Sequence, residues 1–230
     1  MRSNRVLALP IAMLFLLFLF AIVLIFSLVI SSAFRALGFS PFVTITIFFL
    51  ALLGSTVNIP LYSKETKQPV RSVPDNPLMN FLYPDRRGNR EKMYEIVETT
   101  VSINLGGAVI PILVSVYLVS AHPDLWIQFI VGILVVSSIS YRFSKIIPNV
   151  GISLPLFIPP IIAALIAIIL PGPDTILAFV SGVTGVLIGA DVMNLTKIDK
   201  LQSKMMSIGG AGTFDGIFLT GIVSVLIAAI

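Results

Sequence analysis

Cysteine is absent from the chain, and histidine occurs once, as His122. The first absence removes disulfides, thiolate nucleophiles and thiolate metal sites. The second removes a His-rich zinc site, and no HExxH run is present. Charge is scarce too. Asp, Glu, Lys and Arg make up 11% of the 230 residues, about half the share of a soluble domain.

What is abundant is apolar sequence: 57% of residues are hydrophobic, and mean hydropathy is +1.03. A helix needs about 20 mostly apolar residues to cross the hydrocarbon of a bilayer. The apolar runs here are continuous, whereas a barrel strand alternates. The expectation is an all-α, polytopic membrane protein forming one domain over residues 1–230. Its first partner is the lipid bilayer. The first run, Val6–Ile30, exceeds a secretory h-region and lacks a small-x-small cleavage site, so it reads as a retained span.

Seven spans are expected, at roughly Val6–Ser31, Pro41–Pro60, Thr99–Ser120, Leu125–Ser140, Gly151–Leu170, Ile176–Leu195 and Ser207–Ile230. The fourth is short, with a polar end at Ser137, Ser138 and Ser140. With the N-terminus inside and the C-terminus outside, 14 of the 15 basic residues fall on the cytoplasmic side and only Arg35 falls outside. That is the positive-inside pattern. It accounts for the net charge of +4 without nucleic acid. One sizeable loop, about residues 61–98, is cytoplasmic. Its first part is Pro-rich and irregular, and "REKMYEIVETT" reads as a helix leading into span three. Trp126 and Tyr141 read as interfacial anchors, and His122 as a solvated residue of a short outer loop.

Five stretches interrupt the apolar pattern: "GSTVNIP" (54–60), "SINLGGAVIP" (102–111), "GISLPLFIPP" (151–160), "GADVMN" (189–194) and "GGAGTFDG" (209–216). On this topology all five lie at cytoplasmic span ends. Gly and Pro there free backbone groups that protein or water must satisfy, which implies a polar cavity open to the cytoplasm. Most of the glycines also fit plain close packing. Ala178, Gly182, Gly185 and Gly189 form one small-residue face, and Gly212, Gly216, Thr220 and Ser224 form another.

Two of the eleven acidic residues, Asp191 and Asp215, lie within spans. A carboxylate in hydrocarbon costs about 2.5–3.5 kcal/mol on insertion scales, and such residues usually face a cavity and do work. Spans six and seven are sequential, joined by a short loop, and expected to be antiparallel neighbours. Asp191 and Asp215 can then meet. Two close carboxyls share one proton, so one can activate water while the other protonates a carbonyl oxygen. This aspartyl chemistry needs neither metal nor cofactor. Asn58, Asn104, Pro155, Gly189, Asn194, Gly210, Gly212 and Thr213 are the expected supporting or cavity-lining residues.

"GADVMNL" and "GGAGTFDGIFLTG", with "INLGGAVIP" and "PLFIPP" upstream, resemble an uncharacterised prokaryotic membrane family, domain of unknown function 1614. That resemblance covers spans three to seven. It implies the plasma membrane of a prokaryote and no particular activity. More loosely, the arrangement is similar to the presenilin, signal peptide peptidase and prepilin peptidase group. That group places one catalytic Asp on each of two successive spans near the cytoplasmic side, which implies catalytic roles for Asp191 and Asp215. The departures are local. Ala190 stands where the presenilin pattern has Tyr. Thr213 and Phe214 separate Gly210-Ala211-Gly212 from Asp215, and no Pro-Ala-Leu follows. "LPLF" (154–157) is the nearest spatial substitute.

Three functional classes follow. The first is an intramembrane aspartyl protease-like hydrolase acting on membrane-embedded peptide. The second is a Na⁺- or H⁺-coupled carrier using Asn58, Asn104, Asp191, Asn194 and Asp215 as oxygen ligands. The third is a structural protein whose carboxyls bond between helices.

Overall fold

The computed structural model describes residues 3–69, 94–148, 150–201, 203–210 and 216–230. Seven apolar α-helices lie among them. Helix α1 (Ser3–Ala36) is followed by α2 (Pro41–Gly54), which starts at the Ser40 cap with Pro41 in its first turn. Strands β1 (Asn58–Pro69) and β2 (Tyr94–Asn104) come next. A π-helical turn (Leu105–Val109) then leads into α3 (Ile110–Ala121). Helix α4 (Trp126–Phe143) ends at a hairpin, β3 (Lys145–Ile147) and β4 (Gly151–Ser153). Helices α5 (Ile158–Ile169) and α6 (Asp174–Val186) follow. A second π-helical turn (Leu187–Asp191) and a 3₁₀ segment (Val192–Lys200) extend α6. Strand β5 (Met205–Ile208) and helix α7 (Gly216–Ala228) complete the order.

Among the described residues, three helical stretches are long and apolar enough to cross a membrane: Met13–Ala36, Pro123–Phe143 and Asp174–Ile198. Four shorter apolar helices accompany them, at Pro41–Gly54, Leu105–Ala121, Ile158–Ile169 and Gly216–Ala228. The fourth expected span thus belongs to the long group. Two of its three serines turn their hydroxyls back on the helix: Ser138 Oγ donates to the Leu134 carbonyl at 2.7 Å and Ser137 Oγ to the same carbonyl at 3.3 Å.

The molecule is not all-α. β1 and β2 pair antiparallel from Asn58↔Asn104 to Pro69↔Tyr94, and β2 pairs parallel with β5 from Thr100↔Met205 to Ile103↔Ile208. The expected helix at "REKMYEIVETT" is therefore corrected to strand from Tyr94 onward; residues 70–93 lie outside the described residues. Six of the eleven β2 residues (Ile96, Val97, Thr99, Thr100, Val101, Ile103) are β-branched, and these lose side-chain freedom in a helix but pack well on a pleated surface. The register slips between Pro60 and Tyr62. A bulge fits there because Pro60 has no N–H to give the ladder. Spans five and seven likewise shrink, since their first residues are strand.

Helix α6 is the centre of the bundle and is buried on nearly every side, by α3, α4, α5 and α7. Small residues set its contacts. A methyl group on Gly182 would meet Thr220 Cγ2 at 3.1 Å and Ser224 Oγ at 3.2 Å, while one on Gly185 would meet Val136 Cβ at 2.6 Å. Ser224 Oγ donates to the Ala178 carbonyl at 3.1 Å. Since Ser224 meets Ala178 and Thr220 meets Gly182, α6 and α7 run antiparallel. Gly185 and Gly189 pack instead against α4, at Val136 and Ser137.

Among the described side chains, helix α1 is buried against this bundle at its C-terminal end, through Ile30, Ala33 and Phe34. The Phe34 ring lies 6.2 Å from Phe179. His122 is half-buried, and its Nδ1 lies 3.0 Å from the Leu118 carbonyl. It closes the end of α3 and is not simply solvated.

Ser140 and Ser181 are fully buried, and their hydroxyls have no hydrogen-bond partner among the described residues. Ser181 occupies the hollow left by Gly132. Ser181→Ala keeps that fit and removes an unsatisfied group, whose burial costs about 1–3 kcal/mol. Its melting temperature in detergent is expected to equal or exceed that of the parent chain. A fall of several degrees would reveal an acceptor for this hydroxyl.

Candidate functional site

Described residues of four of the five interrupted stretches meet at one junction: Asn58, Asn104, Asp191 and the Gly209–Gly210 pair. The fifth, residues 151–160, forms β4 and the approach to α5. Pro155 lies there and is exposed.

The junction is built around Asn104, the last residue of β2. Its side chain is 2% exposed. Oδ1 accepts the Gly107 N–H at 2.7 Å and so caps the first π-helical turn. Nδ2 donates to the Ser55 carbonyl at 2.8 Å and to Asn58 Oδ1 at 3.1 Å. Asn58 Oδ1 also accepts Ser207 Oγ at 2.6 Å. The starts of β1 and α3, the end of α2 and strand β5 are thus tied together by two asparagines and a serine.

Close backbone approach seals the same place. A methyl group on Gly106 would fall on the Ala51 carbonyl oxygen and lie 2.8 Å from Gly54 C. Gly209 follows β5 with φ +66°, a left-handed conformation suited to glycine. A methyl group on Gly209 would lie 2.5 Å from Ala108 Cβ and 3.0 Å from Gly107 C. Beside it, one on Gly210 would meet the Ser207 side chain, with Asn58 Oδ1 at 3.3 Å.

Asp191 enters from the other direction. It closes the second π-helical turn and is half-buried. Its Oδ2 accepts the Gly209 N–H at 3.2 Å. Gly189 sets this placement, because a methyl group there would fall on the Ser137 carbonyl of α4. π-helical turns are rare and cluster at functional sites. The two among the described residues meet through Gly209, which packs on one and hydrogen-bonds to the end of the other.

Asp191, Asn58, Asn104 and Gly210 are therefore brought to one junction. Asn194 is held apart from it. It is 2% exposed, and its Nδ2 donates to Ser144 Oγ at 2.8 Å and to the Ala190 carbonyl at 2.8 Å. Its Oδ1 accepts Lys197 Nζ at 3.1 Å, and that ammonium stands 4.3 Å above the Tyr141 ring. Asn194 thus holds the segment bearing Asp191 against the end of α4. Asp215, Gly212 and Thr213 lie outside the described residues.

Sequence reasoning missed Ser207, Gly209 and Ser144. For Ser207 there was a signal. "TVSI" (100–103) and "MMSI" (205–208) each precede a Gly-rich stretch and a helix, and the two strands pair in that register, Ser102 opposite Ser207. Ser102 Oγ donates to the Met206 carbonyl at 3.2 Å.

The apolar helices point to a membrane protein, with a polar junction of strands and π-helical turns at one end of its bundle. Residues 52–227 match the family described as protein of unknown function (DUF1614). The chain belongs to that family. No curated protein and no solved structure matches it.

Proposed function

We propose that this chain is an intramembrane aspartyl protease-like hydrolase, with Asp191 and Asp215 as its dyad. One observation carries the reading. The Asp191 carboxylate accepts the N–H of Gly209, and Gly209 opens the short stretch that ends at Asp215. The two acid-bearing segments are thus joined at the start of that stretch. In this reading the chain crosses the plasma membrane of a prokaryote seven times, with the N-terminus inside.

Helix length supports a wet site. At 1.5 Å per residue, a twelve-residue helix such as α5 covers about 18 Å, well short of a hydrocarbon core of about 30 Å. Strands β2 and β5 continue where the helices stop. Non-helical backbone at membrane depth is tolerated only when it is buried in protein or faces water. In this reading the water that hydrolysis consumes reaches the site from the strand-bearing end.

The chemistry is conventional for two carboxyls. The ionised Asp takes a proton from water as the oxygen attacks the peptide carbonyl carbon. The protonated Asp gives its proton to the carbonyl oxygen. Collapse of the gem-diol adduct breaks the C–N bond: the protonated Asp gives its proton to the leaving nitrogen, and the ionised Asp takes one from a gem-diol hydroxyl, which leaves a carboxylic acid and restores one proton to the dyad.

The carrier alternative fits less well. Asn58 Oδ1 already accepts two hydrogen bonds, and Asn194 Oδ1 accepts one from a lysine ammonium. Neither is a ready cation ligand.

The test uses full-length protein reconstituted with a library of transmembrane peptides. Cleavage is expected in the parent and a loss of about a hundredfold or more in both Asp191→Asn and Asp215→Asn. Cleavage retained by either variant refutes the dyad. Ion-dependent stabilisation that both variants lose, without any cleavage, favours the carrier.

A further inference from the structure

We propose that the β3–β4 hairpin is a lipid-surface anchor, which sets its apolar tip into the headgroup boundary of an anionic leaflet and pairs Arg142 and Lys145 with lipid phosphates. The proposal is independent of the hydrolytic reading.

The hairpin is only three residues per strand, paired Lys145↔Ser153, Ile146↔Ile152 and Ile147↔Gly151. Two short strands alone are marginal in water. Here one face is held, because Ile146 and Ile152 pack on the bundle core. Either side of the turn the apolar side chains are open: Val150 is 78% exposed and Ile147 40%. Phe143 and Phe157, which flank the hairpin on α4 and before α5, are also exposed.

The charges that flank the hairpin along the chain have one sign. Arg142 lies in the last turn of α4, and Lys145 opens β3, both exposed. No acidic residue occurs between Asp124 and Asp174. Apolar tips beside basic side chains, at the end of an apolar helix long enough to cross a membrane, match the two layers of an anionic bilayer surface. Acyl chains take the Ile147 and Val150 side chains, and headgroup phosphates take the basic ones. A second copy of this chain would set the same positive patches against each other, so charge complementarity selects lipid.

The lack of cysteine makes the test clean. Val150→Cys supplies a single thiol for an environment-sensitive dye, at a position outside the core. The labelled protein is reconstituted in phosphatidylcholine vesicles, with or without phosphatidylglycerol, that contain lipids brominated high on the acyl chain. Leu134→Cys, exposed midway along α4, reports bilayer contact, and Glu65→Cys, exposed on β1, reports water.

The Val150 label is expected to be quenched by bromolipid far more than the Glu65 label, and more strongly with phosphatidylglycerol present. Arg142→Gln with Lys145→Gln should remove the phosphatidylglycerol-dependent part, at roughly fivefold in surface occupancy per charge lost. Quenching no greater than at Glu65 would overturn the proposal. Protection from both bromolipid and aqueous iodide would place the tip against a second copy and overturn it too. Quenching indifferent to phosphatidylglycerol would overturn the anionic partner.

Discussion

Gly106→Ala is expected to be among the most damaging single substitutions in this chain. The added methyl has nowhere to go: it falls on the Ala51 carbonyl, with Gly54 C at 2.8 Å. These are backbone atoms of α2, so no rotamer change relieves the clash. Overpacking a close contact costs about 1–3 kcal/mol, and more when backbone must move. The consequences spread, because Gly106 sits between Asn104 and the Gly107–Ala108 surface on which Gly209 rests. Moving α2 away would loosen the cap on the first π-helical turn and the N–H that Asp191 accepts. Cleavage activity, where present, should fall together with stability.

The same geometry ranks its neighbours. A methyl on Gly54 would meet Gly106 N at 3.0 Å and Leu105 Cγ at 3.2 Å, a tight fit that small shifts can relieve. One on Gly216 meets nothing within 4 Å. Melting temperatures of the purified variants should therefore fall in the order Gly216→Ala, Gly54→Ala, Gly106→Ala, with the first close to the parent. A Gly106→Ala protein that melts with the parent would show that α2 does not approach α3 in this way.

The helices were legible in the sequence because apolar runs bounded by Gly and Pro have one common meaning. The strands were not. "VETTVSIN" and "MMSI" are apolar or β-branched on most positions and sit against longer apolar runs. A buried strand and the first turns of a span look alike when no alternation separates them. Tertiary pairing decides, and the partner of β2 in β5 lies about a hundred residues away in the sequence. The π-helical turns were likewise invisible as such, though Gly106, Gly107 and Gly189 marked where they occur.

The site was legible as a location more than as an arrangement. Interrupted stretches clustered by topology, and four of the five converge in space. What composition could not divide was the duty of each polar residue. Asn104 and Asn194 looked equivalent. One turns out to hold three chain segments at the junction, and the other bonds across to Ser144 and lies under a lysine. Pro155, expected to line the cavity, stands exposed on the connection near the hairpin. Burial separates these cases, and burial is a property of the fold.

The second large effect is expected at Asn104. Asn104→Ala takes the acceptor from the Gly107 N–H and the donor from the Ser55 carbonyl and Asn58 Oδ1, at a position 2% exposed. Each buried group left without a partner costs about 1–3 kcal/mol. Loss of a helix cap contributes about 1 kcal/mol within that. Asn58→Ala should cost much less, because Asn58 is exposed and its loss strands only Ser207 Oγ and one proton of the Asn104 amide. The two residues share a hydrogen bond, so their effects should not add. The double variant is expected to be more stable than the sum of the single losses predicts, by about 0.5 kcal/mol or more. A melting series on the four proteins reads this directly. Strict additivity would mean that the Asn58–Asn104 bond contributes nothing. An Asn104→Ala variant as stable as the parent would mean that water satisfies the groups it uncovers. The junction would then be open to solvent at its centre, rather than sealed there and wet only along the rim that carries Asp191.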